Sequence, residues 1–347
     1  MRRRASISRR PMPGESGQPQ NEFEIAGRTA AVTGAGGFIG GAVCCALVDA
    51  GASEVVGIDV HPASERRIGD AGATPRVADV ADPAGIRAAL EGADVVVHAA
   101  ATVREYGEMR DFIEVNVGGT ANVLDAAEAV GAERVLHISS VVVYGYADER
   151  DQDESATRRA VGIPYIDTKS ASDRLAGRRG AVIVRPGDVY GPGSVPWTVR
   201  PAELMRQGRL ALPGKGDGTM LPAYIDDLVA GIVAAIRKGD PGRAYTVWDG
   251  SPVAFDRYFE LLAAQIPGAS PPRKLPKALL HAVGAGTEAV ARLRGRAPVF
   301  GRHGVTLTDR RGTASNRRAR DELGWEPAVG LEEGVARSGE WLRAAPA

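Results

Sequence analysis

The 347-residue sequence predicts an α/β fold, a doubly wound parallel sheet with a smaller C-terminal lobe. Three observations predict it. Short runs of β-branched apolar residues alternate with helical patterns from Arg28 to about residue 190. The runs are near-continuous, as in parallel strands covered on both faces, not alternating. After residue 190 that rhythm breaks into a Gly- and Pro-rich stretch followed by mixed segments.

The elements follow in order. Strands are expected at Thr29–Thr33, Glu54–Asp59, Thr74–Ala78, Asp94–His98, Glu133–Ser139 and Ala181–Arg185. Helices are expected at Gly37–Ala50, at Pro83–Leu90, in a long pattern ending near Ala129, and at Tyr165–Arg178. Asp82 stands where a cap belongs and Pro83 at the first helical position. Beyond Gly191–Gly218, Tyr224–Arg237 reads as a helix and Ala244–Trp248 as a strand. Helices then follow near 254–265, 276–293, 315–323 and 331–343, with a short strand at 305–307. The domain reading is therefore 25–190 for the sheet domain, with 220–250 returning to it, and 191–219 plus 251–345 for the second lobe.

Composition narrows the function classes. Lys plus Arg and Asp plus Glu are both 43, so net charge is zero and nucleic acid is not an expected partner. No run approaches the ~18 apolar residues of a membrane span. The two cysteines, Cys44 and Cys45, are helix neighbours that do not face each other, and both are expected to pack on the sheet in a reduced, cytoplasmic setting. No metal site is expected. Residues 1–24 carry five arginines in the first ten positions and lack the apolar core of a secretory signal, so they read as a disordered basic tail.

The run Thr33–Gly40, TGAGGFIG, follows the first strand and opens a helix. Glycine permits the tight turn and the close backbone approach that a pyrophosphate needs, and the helix N-terminus offers free N–H groups to the anion. Asp59 ends the second strand, 19 residues after Gly40, where an acid accepts the hydroxyls of an adenosine ribose and repels a 2′-phosphate. That combination is the signature of a Rossmann-type dinucleotide site and favours NAD over NADP, although Arg66 and Arg67 lie nearby. Gly34, Gly37, Phe38, Ile39, Gly40 and Asp59 are thus cofactor candidates, with Asp79 and Val80 after the third strand and Ala99, Ala100 and Ala101 after the fourth.

Tyr165 and Lys169 are spaced i and i+4, so both project from one helical face. A phenol titrates near ~10, and an adjacent ammonium favours its ionised form, which makes the pair an acid–base device. Ser139 and Ser140 end the fifth strand at the same sheet edge, where the Ser140 hydroxyl can hold a substrate oxygen. The spacing alone is common; its convergence with the glycine turn and Asp59 is what carries the reading.

These motifs, with HAAA at 98–101, NVGGTANVLDAA at 116–127, HISSVVVYG at 137–145, YIDTK at 165–169, RPGDVYGPG at 185–193 and YIDDL at 224–228, are similar to those of the extended short-chain dehydrogenase/reductase superfamily, in family order. The resemblance covers the NAD-dependent epimerase/dehydratase and 3β-hydroxysteroid dehydrogenase-like groups. It implies that Tyr165 is the acid–base group, that Lys169 lowers its pKa and holds the nicotinamide ribose, and that Ser140 positions the substrate oxygen. It further implies that Asn116 supports the active-site backbone, that Pro186 and Val189 border the nicotinamide, and that the enzyme is a homodimer.

Two substrate classes compete. One is a secondary alcohol or ketone, sterol-like or otherwise apolar. The other is a nucleotide sugar for an epimerase or dehydratase. Sugar-nucleotide members carry an Arg before the tyrosine–acid segment, and Met220 stands at that position here; Met cannot supply bidentate donors to a diphosphate. The apolar class is favoured, with Thr102, Ser140, Trp197, Met205, Met220 and Tyr224 as candidate substrate contacts. Arg200, Arg206, Arg209 and Arg302 keep the sugar class open. A non-catalytic NAD(H) sensor is a third reading, opposed by the intact Ser140, Tyr165 and Lys169. The 276–293 helix reads as ordinary amphipathic core packing, the alternatives being a pocket lining or a membrane surface.

Overall fold

The structure is a computed structural model that describes residues 22–104, 107–146, 151–156, 160–294 and 301–344. Most of the expected basic tail lies outside the described residues. Its last residues do not match a disordered tail. The Phe23 amide donates to the Arg237 carbonyl at 2.8 Å, and Arg28 and Arg134 lie over the Phe23 ring.

The first half alternates strand and helix. It runs β1 (Thr29–Thr33), α1 (Phe38–Asp49), β2 (Glu54–Asp59), α2 (Glu65–Asp70), β3 (Thr74–Val77), α3 (Pro83–Ala89) and β4 (Val95–His98). Next come α4 (Met109–Phe112), a π-helical turn over Ile113–Gly118, α5 (Gly119–Val130), β5 (Arg134–Ile138), α6 (Pro164–Arg178) and β6 (Val182–Pro186). The local signals act as expected: Asp82 accepts the Ala84 amide at 3.1 Å with Pro83 first in α3, and α5 ends on Gly131 at φ +76°.

The second half contains β7 (Asp188–Tyr190), α7 (Arg200–Arg206), β8 (Ala211–Pro213), β9 (Thr219–Met220), β10 (Pro222–Tyr224), α8 (Ile225–Lys238) and β11 (Ala244–Val247). It closes with β12 (Val253–Ala254), α9 (Phe255–Ala264), β13 (Arg273–Leu275), α10 (Lys277–Leu293), α11 (Arg302–Thr308), α12 (Arg317–Leu323) and α13 (Leu331–Ala344).

Seven strands form one parallel sheet in the order β11-β6-β5-β4-β1-β2-β3. Its continuous apolar strands serve two cores. Along β4, Val95 and Val97 join one cluster with Ala30 and Val32, while Val96 joins Ala31, Val56 and Ile58 on the opposite face. The strand order reverses between β4 and β1, which opens a crevice at their C-terminal ends, where such sheets bind ligands.

Three expectations are corrected. Residues 305–307 lie inside helix α11, not a strand. There α11 packs on α10, where a Cβ on Gly284 would stand 3.0 Å from the Arg302 amide, and this packing overrides the β-branched preference of Val305 and Thr306. Cys44 is buried as expected, but Cys45 is exposed on the outer face of α1. The apolar residues Leu279, Val283, Val290 and Leu293 of α10 point outward, not into the core.

Candidate active site

The dinucleotide edge is built by close backbone approach. Gly34 has φ +70°, and a Cβ there would lie 2.8 Å from the Ala100 backbone, so β1 and the loop after β4 meet only because no side chain intervenes. A Cβ on Gly40 would stand 2.1 Å from the Gly34 carbonyl. The Gly37 amide closes the turn on that same carbonyl at 3.0 Å. The next amide to bond back, Gly41 to the Gly37 carbonyl at 3.0 Å, comes after Phe38, Ile39 and Gly40. The N–H groups of those three residues have no partner within the helix, which is the arrangement that can accept an anion.

Asp59 sits at the end of β2 and its carboxylate is held in place. One oxygen accepts the Gly36 amide at 3.0 Å and the other the His61 amide at 3.0 Å. Sequence reasoning singled out the glycines at 34, 37 and 40 and missed Gly36, whose bond to Asp59 ties the turn to the acid; the glycine pair at 36–37 was the available signal. Arg67 also touches this turn, donating to the Gly36 carbonyl at 2.7 Å. Asp79 caps the Ala81 amide at 2.9 Å, and Val80 is buried against α5. Asn122, not foreseen, donates to the Val80 carbonyl at 2.9 Å.

Ala99, Ala100, Ala101 and Thr102 form a half-buried strip beside the glycine turn. Behind it, His98 bridges Thr33 at 2.8 Å and Thr120 at 3.0 Å, and burial pushes its pKa down to about 3, so it is a neutral structural group. The open alanine strip, the free helix amides and the fixed carboxylate fit a dinucleotide lying along the sheet edge. With the cofactor bound, the same residues would offer the pyrophosphate an anion site and the ribose an acceptor.

Asn116 sits on the π-helical turn. Its Oδ1 accepts the Thr102 amide at 2.7 Å, and its Nδ2 donates to the Thr102 carbonyl at 3.2 Å and to the Thr168 hydroxyl at 3.0 Å. It therefore fastens the loop after β4 to helix α6, one residue before Lys169.

The chemical groups lie on α6 and the turn after β5. Ser140 caps a 3-10 turn over Val141–Tyr144, accepting the Val142 amide at 3.3 Å. Tyr165 is on the first turn of α6 behind Pro164. Burial pushes the phenol up to about 12, and its hydrogen bond with Ser140 offsets part of that rise. Lys169 donates to the Ile138 carbonyl at 2.7 Å, and burial lowers its pKa to about 8, opposed by the Asp173 carboxylate. The net displacement of the phenol is thus upward, the reverse of the direction inferred from spacing. Desolvation is the larger influence, and the hydrogen bond from Ser140 is what draws the value down.

Beneath the pair lies a buried polar network. Asp173, four residues after Lys169, accepts the Ser139 hydroxyl at 2.7 Å and two Arg185 nitrogens at 2.9 and 3.0 Å. Both partners of that ion pair are fully buried. Arg185 continues to the Tyr144 hydroxyl at 3.0 Å, which bonds Thr246 at 2.8 Å; Glu154 accepts the Thr246 amide at 2.8 Å. Asp173 and Glu154 were not foreseen. The i+4 repeat Tyr165–Lys169–Asp173 was the readable signal for the first.

The expected substrate contacts divide. Ser140 and Thr102 lie at the sheet edge. Trp197 is half-buried and stacks on Phe255 at 5.5 Å. Met205, Met220 and Tyr224 are buried in the main core. None of the three lines either of the two cavities described below: strands β9 and β10 turn Met220 and Tyr224 inward, and Met205 is buried on α7. Pro186 and Val189 are buried where β6 passes into β7. Arg302, expected to be free for phosphate, is bound by Glu288 at 2.9 Å.

The first cavity is narrow, about 20 Å³, and begins one residue past Ser140; Val141, Val142, Leu221, Ala314 and Arg310 are among its walls. The Arg310 guanidinium is engaged by the buried Asp188 carboxylate and the Thr219 carbonyl. The second, about 250 Å³, is lined by Thr219, Pro252, Val253, Ala254 and the Arg311–Asp217 ion pair; the two cavities share Thr313.

Comparison with known proteins agrees with this geometry. The profile of the NAD dependent epimerase/dehydratase family matches residues 30–248. The chain is 30% identical over 326 residues to a 2-alkyl-3-oxoalkanoate reductase of Stenotrophomonas maltophilia, covering 88% of this chain and 97% of that one. Among solved structures, gox2253 superposes with a TM-score of 0.74 at 26% identity, covering 91% and 98% of the two chains. MoeE5 in complex with UDP-glucuronic acid and NAD superposes at 0.72 and 25% identity, covering 91% and 99%. The matched span includes the glycine turn, the fixed acid and the Ser–Tyr–Lys edge, and the chain belongs to the NAD-dependent epimerase/dehydratase family as an NAD-dependent enzyme.

Proposed function

We propose that this enzyme is an oxidoreductase that interconverts a secondary alcohol and a ketone on an apolar substrate. The observation that carries the reading is the cavity beside Ser140. Its walls include Val141, Val142, Leu221 and Ala314, and the one guanidinium on them among the described residues, Arg310, is already neutralised by Asp188. Among the described residues, a charged diphosphate entering there would meet no uncommitted cation. The similarity to a 2-alkyl-3-oxoalkanoate reductase supports the reaction class, reduction of a ketone set between alkyl chains, in a molecule that also carries one carboxylate.

The residues then have defined roles. Phe38, Ile39 and Gly40 hold the pyrophosphate, Asp59 the adenosine ribose, and Lys169 the nicotinamide ribose. NAD, when bound, supplies or accepts the hydride. Ser140 holds the substrate oxygen. The Tyr165 phenol, raised to about 12, stays protonated at neutral pH and gives its proton to the carbonyl oxygen during reduction. The narrow cavity admits the reacting end, and the larger one behind Thr313 takes the rest of the molecule. The enzyme acts as a cytoplasmic homodimer, with exposed Met109 and Ile113 beside α5 available for pairing.

A nucleotide-sugar epimerase or dehydratase is the second reading. It is favoured by Arg311 on the wall of the larger cavity and by the UDP-sugar complex of MoeE5. Steady-state assays decide between them. NADH consumption with a 2-alkyl-3-oxo acid, and none with UDP- or dTDP-hexoses, is expected. Turnover of a nucleotide sugar alone would overturn the proposal.

A further inference from the structure

We infer that the outer face of α10 docks the enzyme on an anionic lipid surface. The helix is amphipathic in the inverse sense. Its inward positions are Leu280, Gly284 and Ala291, while four of its five larger apolar side chains stand outside: Leu279 is 49% exposed, Val283 47%, Val290 47% and Leu293 88%. Positions 279, 283, 290 and 293 are separated by 4, 7 and 3 residues, so they fall on one stripe of a 3.6-residue helix. Two of the three inward positions, Gly284 and Ala291, are small, and α11 lies close beneath Gly284. A Cβ on Gly284 would crowd the Arg302 backbone at 3.0 Å, and no larger side chain fits.

Charge identifies the occupant. The chain as a whole is neutral, yet residues 273–296 hold six basic residues, Arg273, Lys274, Lys277, Arg292, Arg294 and Arg296, against one acid, Glu288. That acid is turned onto Arg302, whose amide and guanidinium it accepts at 2.7 and 2.9 Å. Arg273 and Arg294 are exposed at the two ends of the stripe, and Lys274 and Lys277 remain about half-exposed beside their partners Asp256 and Asp309. Among the described residues the apolar stripe carries exposed cations at both ends, and the nearby acids are each bound to a basic partner (Asp256 to Lys274, Asp309 to Lys277, Glu288 to Arg302), which matches the headgroup–acyl boundary of an anionic leaflet.

A second copy of the chain is a poorer occupant. Two such faces would bring like charges together, and four partly exposed side chains fall well short of the roughly 800 Å² per partner of a stable interface. No described helix is long and apolar enough to cross a membrane, so α10 lies on the surface instead of spanning it. The face is close to the site: α11 packs on α10, and Arg310, Gly312, Thr313 and Ala314, which follow α11, line the narrow cavity. The inference stands on the helix face alone and holds for either substrate class.

The test is co-sedimentation of the full chain with vesicles of phosphatidylcholine alone or mixed with phosphatidylglycerol. The triple variant Leu279→Gln, Val283→Gln, Val290→Gln serves as comparison, since none of these residues belongs to the catalytic or binding machinery and all point away from the core. Wild type is expected on anionic vesicles at low salt and not on neutral ones. The triple variant is expected to bind about tenfold or more weakly, with unchanged turnover and melting temperature. No binding of wild type to anionic vesicles would overturn the inference. Equal binding by both proteins would also overturn it, pointing to the arginine-rich N-terminus instead. So would a wild-type dimer, seen by sedimentation velocity, that the triple variant dissociates without any vesicle binding.

Discussion

Replacing Asp173 with Asn probes the network under the catalytic helix. The carboxylate is fully buried, bonds Ser139 once and Arg185 twice, and faces Lys169 one helical turn away. Asn keeps the shape and removes the charge. Arg185 is then left as a buried cation without a counter-charge, a change that costs about 3–5 kcal/mol. Against a total stability of about 5–15 kcal/mol, the loss is large. The melting temperature should fall by roughly 10 °C, at about 2–4 °C per kcal/mol for a chain of this order of size. Calorimetry at neutral pH measures it. Adding Arg185→Met should recover part of the loss, because the second substitution removes the stranded cation. The Asp173 carboxylate also supports the Lys169 ammonium, so any pH-dependent limb of activity due to Lys169 should move to lower pH in the single variant. A melting temperature within about 2 °C of wild type would refute the reasoning, since it would mean that the Arg185 charge is compensated elsewhere.

Two further outcomes are expected. Lys169→Met should raise stability while abolishing turnover. The amine is displaced from 10.5 to about 8, so the unfolded chain holds more protons between those values and stability rises with pH across that window. The penalty is fully present below pH 8 and corresponds to on the order of 3 kcal/mol, so the variant's advantage in thermal melts should be visible at pH 7 and vanish above about 10.5. Asp59→Asn keeps the acceptor to Gly36 and removes the charge that repels a 2′-phosphate. The NAD-over-NADP preference measured by calorimetric titration should fall about tenfold, or ~1.4 kcal/mol, and an unchanged ratio would contradict the role given to Asp59.

The sheet was legible because its physics is local. Strands such as Val95–His98 are buried on both faces and read as unbroken apolar runs, and the turn after β1 needs glycine wherever a Cβ would strike backbone. The site residues that spacing displays, Tyr165, Lys169 and Ser140, fall together at one edge for the same reason. What failed to read depends on contacts distant in sequence. Glu154 reaches Thr246 across 92 positions, and Asp173 meets Arg185 from a different element. Met220 reads as a pocket residue in its motif, but β9 turns it into the core. The stripe on α10 has the period of a core helix, and only the glycine-close packing on α11 reveals that its large side chains face out. Likewise, the i, i+4 pair predicts attraction between ammonium and phenolate, whereas burial of both groups sets the observed directions.

The central claim is that Tyr165 moves the proton while the glycine turn and Asp59 hold NAD. Substituting Tyr165→Phe and measuring NAD affinity and turnover in the same preparation tests it directly. NAD affinity within about twofold of wild type, with turnover reduced by about 10²-fold or more, is the predicted result. Turnover close to wild type would contradict the assignment of Tyr165 as the acid–base group.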